Sequence, residues 1–152
     1  MEITIDQNCS FTMSLIGYQF PDLEDVEDDS NWLQVKIVVN HRRGKWSAVD
    51  PALLTYEVEW LIDWLKELSA GKYDKRDLWF TEPCISFHLL PSKGEPDMLA
   101  IGFSYEFRPP WAKDLHEEHQ IAFPLASIDL MNAAQLIETS FINIHGERSV
   151  KL

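Results

Sequence analysis

A chain of 152 residues and 17.7 kDa is the size of one ordinary domain, expected over 1–152, and burying about 70% of its unfolded surface gives it a core that needs no covalent staples. Thirteen basic residues against 25 acidic ones leave a net charge of −12, a surface that repels nucleic acid and anionic lipid at long range and complements basic partners. Cys9 and Cys84 stand too far apart for a metal or redox motif, no apolar run is long enough for a membrane span, and Glu2 and Asp6 lie where a leader would be basic and apolar, so a reducing, cytoplasmic location is expected.

Met1 to Asp6 alternates apolar and polar residues, and Phe11, Met13 and Leu15 repeat that period of two. Two strands are predicted. Six of the eight residues from Asp22 to Asp29 are acidic, too self-repelling for a strand or a buried helix, which predicts an exposed loop. Trp32 to Val39, a turn over 40–44 and a return through Lys45 to Val49 form a hairpin pattern that Pro51 should end. The period then changes. Val58, Leu61, Ile62, Leu65 and Leu68 recur at helical spacing, with Thr55 as candidate N-cap, Glu57 and Glu59 in the first turn and Gly71 past the end, predicting the main helix over 55–69. Trp60 and Trp64 widen its apolar stripe, so both are expected in the core beneath a covering sheet.

Farther along, Leu78 to Phe80 and Cys84 to Leu90 read as strands broken at Glu82-Pro83, and residues 91–96 as a turn-rich connection. Met98 to Phe107 is predicted as a longer strand with a bulge at Gly102, and His119 to Phe123 as another. Asp129 is the candidate cap of a short C-terminal helix holding Leu130, Ala133, Ala134, Leu136 and Ile137. The expected fold class is α+β, an antiparallel sheet system of about seven or eight strands, sandwich-like in one arrangement, with the main helix packed on it.

Several residues could carry chemistry. His116-Glu-Glu-His119 holds two imidazoles and two carboxylates, but its histidines are three apart beside Pro109-Pro110, not four apart on one helix face as a zincin requires, and a solvated loop is the better reading. Cys84 and His88 share a face if their segment is a strand, the minimum for a thiolate and base pair and so for a small hydrolase or thiol-dependent enzyme. The neighbours Ile85 and Phe87 point instead to a buried, inert thiol. No phosphate-cradling glycine loop or nucleophile elbow is present, and no cofactor or metal is expected. The acids Asp22, Glu24, Asp25, Glu27, Asp28 and Asp29 are candidates for partner binding, as is Trp111, whose loop of prolines and small residues suggests exposure and whose plainer role is to anchor that loop.

The motifs Asp29-Ser-Asn-Trp-Leu33, Gly44-Lys-Trp-Ser47, Asp50-Pro51 with Leu53-Leu54-Thr55 and Glu57, Trp64-Leu65, and Phe80-Thr-Glu-Pro83 with Ile85 and Phe87 together resemble the WapI-type immunity proteins of bacterial contact-dependent toxin systems. The resemblance covers about residues 29–90, and none of these motifs is catalytic. Asn31 and Asp50-Pro51 look like turn and strand-end residues, and Trp32, Trp46 and Trp64 look like core. What the resemblance implies is a small cytoplasmic protein, not an enzyme, that binds and blocks a cognate toxin domain, typically a secreted nuclease. The strong acidity fits that role, because a nuclease that grips phosphates presents a basic cleft.

Overall fold

Alternation decides which face of each strand is covered. The computed structural model describes residues 1–24, 26, 29–92 and 95–150. Strands β1 (Glu2–Asp6), β2 (Cys9–Tyr18), β3 (Trp32–His41) and β4 (Gly44–Leu54) form one antiparallel sheet in chain order. Leu33, Val35, Ile37 and Val39 of β3 are fully buried, while Lys36 and Val38 between them face solvent. Strands β5 (Asp77–Leu78), β6 (Ile85–Ser92), β7 (Glu95–Phe103) and β8 (His119–Pro124) form a second antiparallel sheet, also in chain order. Their inward residues, among them Phe87, Ile101, Phe103 and Phe123, join those of the first sheet in one cluster of buried side chains. Aromatic rings bridge the two sheets, Phe103 lying 5.7 Å from Phe11 and 5.4 Å from Trp46.

Helix α1 (Thr55–Ser69) leaves β4 without a loop, so Leu54 occupies the N-cap position. Leucine has no side-chain acceptor, and the capping comes from Glu57, whose Oε1 accepts the Leu54 N–H at 2.9 Å while Oε2 accepts the Thr81 N–H at 2.7 Å. One buried carboxylate thus satisfies an orphan donor and ties the helix start to the chain ahead of β6. Gly71, at φ +78°, ends the helix in the left-handed region. Val58, Leu61, Trp64, Leu65 and Leu68 face the core, and helix α2 (Leu130–Val150) packs beside α1, with Asp129 Oδ1 accepting the Asn132 N–H at 3.0 Å as its cap.

The α+β class and the eight strands among the described residues agree with the sequence pattern. Several boundaries do not. Pro51 lies inside β4, which is possible because β4 is an edge strand and needs no donor on its outer side; a register shift opposite Leu33 and Gln34 marks a bulge there. β7 stops at Phe103, and residues 105–107 form a 3-10 turn that begins with Tyr105 at φ +50°. Gly102 is not a bulge but sits in register between Ser86 and Gln120. The C-terminal helix is long, at 21 residues. Trp32 is half-buried, and Trp60 lies outside the core at 47% exposure, whereas Trp64 is 2% exposed. Of the connection over 91–96, residues 93 and 94 lie outside the described residues, and β6 and β7 run up to them on either side.

Candidate functional site

The acidic segment follows β2. Asp22 and Asp29 are exposed and Glu24 is half-buried; Asp25, Glu27 and Asp28 lie outside the described residues. Phe20, Leu23 and Val26 stand among these acids with large exposed apolar surfaces. The backbone folds back on itself, the Leu23 N–H reaching the Phe20 carbonyl and the Ser30 N–H reaching that of Val26, where the Ser30 hydroxyl also donates. The segment therefore presents charge and apolar side chains together.

Trp111 is half-buried and packs edge-on against Trp46 at 5.3 Å, with the Arg43 guanidinium 5.0 Å from its ring centre. Gly44 lies beneath it, where a Cβ would come within 3.1 Å of the indole. The ring fastens the β3–β4 hairpin tip to the loop after β7, the geometry of a loop anchor.

Cys84 and His88 are both buried, yet each holds different partners. The Cys84 thiol, fully buried, meets Asp50 Oδ2 at 3.9 Å. Burial, followed by the charges of Asp50 and Glu82, pushes that thiol far above its usual range, the reverse of the electropositive setting that activates a cysteine. Asp50 in turn is pushed up to about 6 by burial and by repulsion from Glu82 and Glu106.

His88 belongs to a network on the outer face of the second sheet. Its Nδ1 lies 2.7 Å from Asp77 Oδ1, and its Nε2 lies 2.8 Å from Ser86 Oγ and 3.3 Å from Glu118 Oε1. The Ser86 hydroxyl donates to Glu118 Oε1 at 2.5 Å, so its lone pairs face Nε2. Trp79, 59% exposed, caps the ring edge-on at 4.8 Å. Gly102 is required beneath, since a Cβ there would fall 2.1 Å from Glu118 Oε1 and 2.6 Å from Ser86 Oγ. Burial raises the affinity of Glu118 for a proton, but hydrogen bonds from Ser86 and Gln120 and the neighbouring His88 outweigh it and hold the carboxyl below its ordinary range.

The order hydroxyl, imidazole, carboxylate matches that of a nucleophile relay. Here, however, Ser86 is 2% exposed and its proton is committed to Glu118, so the arrangement locks strands β5 and β6 to the segment before β8. Of the His116-Glu-Glu-His119 run, His116 meets the Tyr105 hydroxyl at 2.9 Å, Glu118 joins the His88 network, and His119 lies 3.6 Å from Glu117. Among the described residues no group of three His, Cys, Asp or Glu side chains is placed to hold a metal ion, and no helix is long and apolar enough to cross a membrane. Sequence reasoning passed over Ser86 and Asp77, placed Glu57 in the first turn of the helix without its link to Thr81, and met Glu118 only within the His116-Glu-Glu-His119 run; the visible signal for the network is the pair of polar residues at alternate positions in the apolar run Ile85 to Leu89.

No curated protein and no solved structure matches this chain. The model of the Immunity protein WapI-like family does, over residues 2–140. With nearly its whole length aligned to that family, including the turn, cap and core residues described above, the chain belongs to the WapI-like immunity proteins.

Proposed function

We propose that this protein is a non-enzymatic immunity protein that binds a cognate secreted toxin domain, a basic nuclease, in the cytoplasm of the producing cell and blocks it through an acidic surface. Membership of the immunity family carries the reading, and the net charge of −12 suits a partner whose cleft binds phosphates. The contact surface proposed comprises Asp22, Glu24, Asp25, Glu27, Asp28 and Asp29, with the part of Trp111 left at the surface. A thiol-dependent enzyme gains no support, because Cys84 and His88 are held by different partners.

The test is association of the purified chain with the toxin domain encoded beside its gene. Neutralising the six acids to Asn and Gln should lower the association rate and flatten its salt dependence while the fold is kept, since at about 0.15 M salt charges act over only about 8 Å. Absence of binding to that domain overturns the reading. Equal rates and salt slopes for the two proteins move the contact away from this segment.

A further inference from the structure

Helix α1 carries an outer stripe that the fold does not use. Tyr56, Glu59, Trp60, Asp63 and Glu67 follow one another at helical spacings and are all exposed. Tyr56 and Trp60 meet edge to face at 5.3 Å, which holds the indole in place at the surface. Between α1 and α2 lies a cleft of about 300 Å³ lined by Glu59, Ile62, Asp63, Glu138, Phe141 and Ile142; Trp60 stands on the neighbouring face of α1, and Asp63 is shared by the two faces. Its floor is apolar, with Ile142 60% exposed, and its rim is carboxylate. Lys66 reaches Glu138 at 2.6 Å, whereas among the described residues no basic side chain pairs with Glu59 or Asp63.

An apolar floor with two rim carboxylates, Glu59 and Asp63, left unneutralised matches one kind of group, a long aliphatic stem that ends in a cation. A purely apolar side chain would strip water from Glu59 and Asp63 with nothing in return, and an anion would be repelled. We infer that this cleft seats an Arg or Lys side chain of the toxin, its stem along Ile62, Phe141 and Ile142 and its cationic head between Glu59 and Asp63, while Trp60 packs against the toxin surface around it. The identification of the occupant as a toxin rests on the function proposed above; the preference for a basic side chain rests on the cleft. An exposed, preorganised tryptophan beside charge-complementary pockets is the composition of an interface hot spot.

The full chain is titrated with the peptide acetyl-Gly-Arg-Gly-amide and with its uncharged citrulline counterpart, and resonances are followed by NMR. The arginine peptide should shift the Trp60 indole and the Ile62 and Ile142 methyls in a saturable way, the citrulline peptide should not, and Asp63→Lys should abolish the response. Equal shifts from both peptides, or shifts centred on residues 22–29, overturn the inference, as does concentration-dependent self-association that Trp60→Ala removes, which would make a second copy the occupant. Toxin affinity separates the two readings. Asp63→Lys and Trp60→Ala, both at exposed positions and checked for an unchanged fold by circular dichroism, should each weaken binding about tenfold or more. If toxin binds all three proteins alike, the cleft is overturned and the immunity reading stands; if toxin binds none while the arginine peptide fills the cleft, the immunity reading falls and the cleft remains a basic side-chain site.

Discussion

Glu118, just ahead of β8 in the second sheet, and Asp50, on β4 of the first, are both partly buried carboxylates, and they are shifted in opposite directions. For both, loss of water favours the neutral acid. Glu118 recovers that cost from three donors, Ser86 at 2.5 Å, Gln120 at 3.0 Å and His88 at 3.3 Å. Among the described residues Asp50 has the weak thiol donor of Cys84 at 3.9 Å as its side-chain partner and faces Glu82 and Glu106. Burial alone therefore does not decide what a buried acid does; the sign is set by whether the next group is a donor or another carboxylate. One region fastens strands together, and the other stores repulsion beside an inert thiol.

The largest test of that contrast is His88→Ala. It leaves the Ser86 hydroxyl and the carboxylates of Asp77 and Glu118 without their shared hydrogen-bonding partner and opens a gap beneath Trp79, and should cost about 2–3 kcal/mol, read as a lower urea midpoint at unchanged slope. A variant as stable as the parent would mean that the network is incidental to the fold. Gly102→Ala should cost less, about 1–2 kcal/mol, because the new methyl displaces the Glu118 tip, which can swing outward, and the loss is confined to the hydrogen bonds of Ser86 and Glu118. Its second signature is a Glu118 carboxyl that titrates nearer the ordinary range, measurable by NMR.

The opposite shifts of Glu118 and Asp50 were not legible in the sequence, although the buried, inert Cys84 was, from its neighbours Ile85 and Phe87, as was the frame around it. Period-two alternation located the strands, and the buried face of α1, with Leu61 and Leu65 fully covered, follows from spacing alone. The capping role of Asp129 was equally local. Trp60 shows where local pattern stops: four residues turn a helix about 40° past a full circle, enough to carry Trp60 clear of the layer that packs Trp64 against Phe87 at 6.1 Å. Ser86, His88 and Glu118 meet only because β6 and β7 are held in one register and the chain before β8 returns over them, a relation between distant residues that no window displays. The full length of α2 was hidden because its second half keeps no single apolar face, Phe141 and Ile144 being half-buried and Ile142 exposed.

Acid titration separates the two carboxylates further. Glu118 binds its proton more weakly folded than unfolded, so its contribution is fully present above the ordinary carboxylate value near 4.5 and disappears as the pH falls through its lower folded value. Glu118→Gln should therefore be less stable than the parent by roughly 1 kcal/mol at neutral pH, with the gap closing in strong acid. Urea midpoints of the two proteins followed from neutral pH down into acid check this, and a gap that shows no narrowing below the ordinary carboxylate value would assign the loss to packing.

Asp50 should behave in the opposite sense and by the smallest amount. Its carboxyl, raised from 3.8 to about 6, holds its proton more tightly in the folded protein, so the unfavourable term is absent below the unfolded value, grows between the two and is complete above the folded one. Asparagine keeps an oxygen for the Cys84 thiol and removes the charge facing Glu82 and Glu106. Because the carboxylate is partly open to solvent, which screens that repulsion, Asp50→Asn should stabilise the protein by only about 1 kcal/mol at pH values above the folded pKa. The gain should fade as the pH is lowered toward 3.8. Paired urea melts across that interval decide the matter: a gain that is the same at both ends would come from packing or hydrogen bonding and not from ionisation, and a loss at high pH would show that the ionised carboxylate is held by a favourable contact, bringing Asp50 into line with Glu118.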